Sequence, residues 1–324
     1  MRALAIISLL FVLALVSVSA YLRLDNSGIG CADWPACYGR IGAPAVEAPT
    51  VSSTYERLAL EAKEPMSWAT PLHRLIASVL GLLVLGIVFV SLRRRRDRLL
   101  SFTLLGLTVF LAWLGIYSGG LHNPAVVMGN LGGGFAMLGL LGWLVLRNAG
   151  ITVNAPPMTR YWIVAALLLL GVQIALGGLT SANFAASACQ TVPDCHGSWL
   201  PGDDLWTAFD LTRQHEISPA GFALGSAGRT DIHKLHRLFA VVTFFTAFVA
   251  GILAARAGLR VAGITVICLV SLEFLVGIAA ILTDLPIGIA VAHNWLAAVL
   301  LLALIWLHAA GRSRQAGSTI HSLA

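Results

Sequence analysis

The chain has 324 residues, 58% of them hydrophobic and 11% charged, against roughly 25% charged in soluble domains. That balance excludes an ordinary water-soluble globule and makes a lipid bilayer the expected solvent. The formal net charge of +6 does not imply a nucleic-acid partner, because the arginines stand where membrane topology would place them.

A helix needs about 20 apolar residues to cross roughly 30 Å of hydrocarbon. Eight such runs follow in chain order, at about 3–22, 72–92, 99–118, 124–146, 160–180, 234–255, 259–282 and 287–308. Met1-Arg2 and the small residues Ser17 to Ala20 also fit a signal peptide, but the repeat described below needs the first run as a retained span. Arg93 to Arg96 with Arg98, then Arg147 and Arg160, Arg256 and Arg260, and Arg312 and Arg314 all fall on one side if the N-terminus is cytoplasmic. Both termini are then cytoplasmic, and the Arg93 to Arg96 run reads as a stop-transfer clamp. Two outer loops are long, about 23–71 and 181–233, and two are short. Long loops are usually functional or disordered.

Each long loop carries a C-x5-C pair, Cys31 with Cys37 and Cys189 with Cys195. On the oxidising side a disulfide within each pair is the simplest reading. Metal ligation is the alternative, although two thiols without nearby partners make a poor zinc site. A redox-active role for the first pair stays open. Cys268 stands alone in the seventh run and reads as packing.

The sequence repeats internally. Gly30-Cys31-Ala32-Asp33-Trp34-Pro35-Ala36-Cys37 resembles Ala188-Cys189-Gln190-Thr191-Val192-Pro193-Asp194-Cys195, both cysteines recurring 158 positions on. Leu72-His73-Arg74-Leu75 recurs as Leu235-His236-Arg237-Leu238, 163 positions on. The expected architecture is therefore an all-α membrane protein of eight transmembrane helices in two four-helix bundles. Its N-terminal half is residues 1–150 and its C-terminal half residues 151–324, with Pro156-Pro157 near the boundary. An even number of spans per half makes the repeat parallel, so matching sites share a depth.

Ligand-type side chains inside membrane helices are costly and mark function. His73, His236 and His293 each lie just inside the outer end of a span, and the counterpart of His293 is Asn130. Two histidines on facing helices at one depth suit the two axial positions of a haem iron, and His236 with His293 fit that pattern. Hydrogen bonding between helices is the plainer reading. Arg74 and Arg237 follow two of these histidines; they either pair with haem propionates or snorkel to headgroups. His233 reads as a group supporting the site or as interfacial. His122, His196 and His215 read as solvated loop residues, and His308 and His321 lie on the cytoplasmic side. Glu273 reads as an interhelical hydrogen-bonding group or a proton-transfer group.

Asp33-Trp34-Pro35 between cysteines, the two Leu-His-Arg segments, Leu176-Gly177-Gly178-Leu179-Thr180 and His293 together resemble the haem A synthase family over essentially the whole chain. The resemblance implies an oxidoreductase of the bacterial-type inner membrane that oxidises the C8 methyl group of haem O to a formyl group, giving haem A for terminal oxidases. It implies haem b held by His236 and His293, and haem O as substrate in the N-terminal half beside His73. A haem O synthase is the implied partner, and a homo-oligomer stays open. The chain departs from the family at two places: Thr70 stands where a glutamate is usual, and Asn130 where a histidine is usual. Glu56, Glu61 and Glu64 are alternative sources of the carboxylate. These departures motivate a rival, a haem-binding cytochrome or assembly factor without catalysis. Parallel repeats also occur in transporters, but no Gly/Pro-broken helices stand in matching positions here.

Overall fold

A computed structural model describes residues 1–24, 68–117, 124–147, 153–213 and 228–312. Its helices are α1 (Arg2–Leu24), α2 (Ala69–Arg94), α3 (Arg98–Tyr117), α4 (Pro124–Leu146), α5 (Pro157–Ala182), α6 (Leu205–Phe209), α7 (Gly228–Arg256), α8 (Arg260–Leu282) and α9 (Ile287–Ala310). All but the short α6 are long and apolar enough to cross a membrane, as the hydropathy pattern predicts. The largest difference lies at α7, which begins at Gly228 rather than near residue 234. Arg229, Asp231 and Lys234 depress the hydropathy of that first stretch without opposing a helix. Asp231 lies in its first turn and pairs with Lys234 at 3.8 Å, both favourable placements.

The helices close into two rings. In one, α1 packs on α2, α2 on α3, α3 on α4 and α4 back on α1; in the other, α5, α7, α8 and α9 follow each other in the same way. Helices on a diagonal, such as α7 and α9 or α2 and α4, do not pack closely together. The rings meet along a seam where α9 touches α1 and α4, and α4 touches α5. Lipid gives no hydrophobic drive between helices, so small residues and close fit must hold them. A Cβ on Gly251 of α7 would come within 2.8 Å of Gly263 O on α8, which shows how nearly these backbones touch.

Both ends are tied. At one, Arg147 pairs with Asp97, the Val153 N–H donates to Ala310 O at 2.8 Å, and the Arg312 guanidinium lies 4.7 Å from the Trp143 ring centre. At the other, residues 183–213 form a cap. Asn183 Nδ2 donates to Leu179 O at 2.9 Å and to Ala208 O at 3.0 Å. Ala185, Ala208 and Ile232 pack with Leu176 and Leu179 beneath it. At its surface Asp210 accepts from the Thr212 hydroxyl at 2.7 Å and N–H at 3.0 Å, which holds its carboxyl below the usual carboxylate range.

Candidate haem site

His236 stands near the outer end of α7 against α5. Its ring lies over Gly177: a Cβ there would be 3.0 Å from His236 Cε1. One turn earlier on the same face of α5, Gln173 Nε2 lies 3.1 Å from His236 Nδ1 and donates to His236 O at 3.1 Å. Gln173 Oε1 is buried without a partner among the described residues. A half-turn of that amide lets Oε1 accept from Nδ1–H, the tautomer that keeps the Nε2 lone pair available to a metal.

His293 repeats this arrangement on α9 against α8. A Cβ on Gly277 would be 3.1 Å from His293 Cε1, and Glu273, one turn earlier, brings Oε1 to 3.2 Å from His293 Nδ1. That contact has ion-pair distance without hydrogen-bond alignment, and Glu273 Oε2 is buried without a partner among the described residues. The intramembrane carboxylate therefore serves the histidine of a neighbouring helix.

Each imidazole thus rests on a glycine and has its Nδ1 within 3.2 Å of a polar side chain four positions before that glycine. Residues four apart share a helix face, so the patterns Gln173-x3-Gly177 and Glu273-x3-Gly277 are two copies of one seat. Neither Nε2 has a hydrogen-bond partner among the described residues, and neither is sealed off as a buried orphan. The two histidines come from diagonal helices of one ring. Two imidazoles with Nδ1 beside a polar side chain and Nε2 without a hydrogen-bond partner among the described residues form, when neutral, a donor set that fits a six-coordinate haem iron.

The other ring differs. His73 on α2 and Asn130 on α4 also stand on diagonal helices, but Asn130 Nδ2 is buried without a partner among the described residues. Aligning the starts of α3 and α8, Arg98 and Arg260, sets Gly115 against Gly277 and Leu111 against Glu273. A Cβ on Gly115 would meet nothing within 4 Å among the described residues, whereas Leu111 packs onto Gly133. A glycine seat is present, then, without ring or carboxylate. The 158-position offset likewise puts Leu15 and Ser19 where α5 has Gln173 and Gly177. Thr70, one helical turn before His73, is 3% exposed.

The two arginines are placed differently. Arg237 directs its guanidinium to the carbonyls of Cys189, Thr191 (2.7 Å) and Asp194 (3.1 Å) and so clamps the cap loop. Arg74 is 8% exposed. Cys189 and Cys195 are joined by a disulfide, with Cα atoms 5.1 Å apart; Cys31 and Cys37, like Glu56, Glu61, Glu64, His122, His215 and His321, lie outside the described residues. His196 is an exposed cap residue whose Nε2 lies 3.1 Å from Ala188 O. His233 is 5% exposed, and the His308 ring stands 5.9 Å from that of Trp143. Cys268 is exposed rather than packed inside. Sequence reading missed Gln173, Gly177 and Gly277 as parts of the site; the polar-x3-Gly spacing was the available signal.

These features define the class: an all-helical, multi-pass membrane protein with a histidine pair suited to haem. Over residues 2–305 the chain matches the family model described as cytochrome oxidase assembly protein, and it belongs to that family. It is 35% identical over 313 residues to the haem A synthase of Shewanella oneidensis, covering 92% of this chain and 93% of that one. It is 27% identical to the haem A synthases of Rhizorhabdus wittichii (91% and 89% covered) and Caulobacter sp. strain K31 (90% and 90%).

Proposed function

We propose that this protein is a haem A synthase, a membrane oxidoreductase that converts the C8 methyl group of haem O into the formyl group of haem A for terminal oxidases. Family membership supports the reaction, and one structural observation carries the site. His236 and His293 stand on diagonal helices with Nδ1 engaged and Nε2 open. In this reading they hold haem b in the C-terminal half, residues 151–324. Bound there, haem supplies one-electron redox chemistry beside the substrate. Gln173 and Glu273 fix the tautomers, Gly177 and Gly277 fix the ring planes, and the cap over the outer ends excludes water.

The N-terminal half, residues 1–150, receives haem O beside His73 as the second copy of a parallel duplication. An amide is a very poor iron ligand, so among the described residues His73 is the strong donor that would hold a haem there, leaving room for the reaction on the iron. Both termini face the cytoplasm and the cysteine loops face outward, with the arginine distribution as support. The membrane is the bacterial inner membrane, and a haem O synthase delivers the substrate. Thr70 and Asn130 favour one other reading, a related membrane cytochrome that binds haem without oxidising it.

Producing the protein in a host that makes haem O but no haem A separates the two. Extracted haem A, identified by chromatography and mass, is the expected result. Purified protein carrying haem b without any haem A formation would establish the cytochrome reading instead.

A further inference from the structure

Arg23, in the last turn of α1, crosses the seam between the rings. Its Nη2 lies 3.4 Å from Asn294 Oδ1 on α9, a long contact to a neutral partner. Among the described residues, the Arg23 Nε and Asn294 Nδ2 atoms are buried with no partner, and no carboxylate pairs with this guanidinium. A partly buried cation without an acidic partner is costly. A guanidinium beside a primary amide offers several N–H donors and, once Oδ1 is engaged, no acceptor. The chemistry such a set takes is a carboxylate, bound by charge-assisted hydrogen bonds.

Asn294 directly follows His293. Successive residues lie about 100° apart around a helix, so α9 turns His293 toward α8 and Asn294 toward α1. We infer that Arg23 and Asn294 form a carboxylate-binding site at the seam, filled by an acid side chain of a haem bound next to it. The inference rests on the haem reading above. The carboxylate belongs either to the cofactor held by His293 or to the substrate haem in the neighbouring half. Either way, a residue of the N-terminal half completes a site beside the C-terminal one, so the halves bind haem as a unit.

The test uses the full chain, purified in detergent from haem-depleted cells and titrated with haem b and with its dimethyl ester. The wild type should bind the free acid at least about tenfold more tightly than the ester, the scale of a charge-assisted hydrogen bond. Arg23→Gln should abolish that preference without lowering the melting temperature of the haem-free protein, because it removes a partly buried charge that no acid among the described residues pairs. Asn294→Asp supplies an internal carboxylate to Arg23; it should keep the fold and likewise lose the preference. A preference seen on the six-coordinate low-spin signal assigns the carboxylate to the cofactor, and one seen on a high-spin signal lost with His73→Ala assigns it to the substrate. Equal binding of acid and ester by the wild type, or a preference that survives both variants, overturns the inference alone. Binding of neither form overturns the haem reading as well.

Discussion

Adding one methyl group under each histidine tests whether the glycine seats set the imidazole planes. In Gly177→Ala and Gly277→Ala the new Cβ would stand 3.0 and 3.1 Å from His236 Cε1 and His293 Cε1. Ordinary carbon contacts lie at about 3.5–4.0 Å, so each ring must retreat by about 0.5 Å. That displacement equals the tolerance of about 0.5 Å within which a ligand set stays productive, and it also pulls Nδ1 from Gln173 or Glu273. Loss of such orienting partners typically costs roughly 10–100-fold in metal affinity. Alanine itself favours a helix over glycine by roughly 0.5–1 kcal/mol, so the apoprotein should be no less stable. Haem-to-protein ratio and the low-spin electron paramagnetic resonance signal of purified variants read this directly. Gly171→Ala on α5 is the control, because its Cβ would meet nothing within 4 Å. Full occupancy and an unchanged signal in both seat variants would refute the reasoning, as would equal damage from the control.

Three further outcomes follow from the same geometry. Glu273→Gln keeps the shape beside His293 but removes the carboxylate 3.2 Å from Nδ1; haem should be retained with a higher reduction potential, and a lower or unchanged potential in redox titration contradicts the role. Asn130→His should fit over Gly115, where an added Cβ would meet nothing within 4 Å among the described residues, and should raise haem retention in the His73 half, read as haem stoichiometry in a His236→Ala background. No gain in stoichiometry there would show that Gly115 is not a ring seat. Arg237→Ala removes the cap clamp on Cys189, Thr191 and Asp194, worth about 1.5–3 kcal/mol for a charged donor; Cys189 and Cys195 should then react faster with a thiol label under mild reductant, and an unchanged labelling rate opposes the clamp.

Hydropathy made the spans legible because each must be apolar over the thickness of the bilayer, and it failed at the start of α7 because an outer turn may be charged and still helical. His236 and His293 were legible because an intramembrane histidine is conspicuous. Their seats were not: Gly177 and Gly277 carry no chemistry of their own, and glycine is common in membrane helices for packing reasons alone. Gln173 was visible as a polar residue within a span, but its meaning depends on which helix faces it, and that is fixed by packing order. Arg237 shows the reverse case. Its position beside His236 suggested propionate pairing or a headgroup contact, and its bonds to three cap carbonyls were not legible because they depend on the fold of the cap.

The central claim is that His236 and His293 jointly hold one haem. The most direct measurement is the optical and paramagnetic resonance spectrum of purified His236→Ala and His293→Ala proteins beside the wild type. Loss of the six-coordinate low-spin haem signal in each variant is the predicted result. A signal that persists unchanged in both would contradict it.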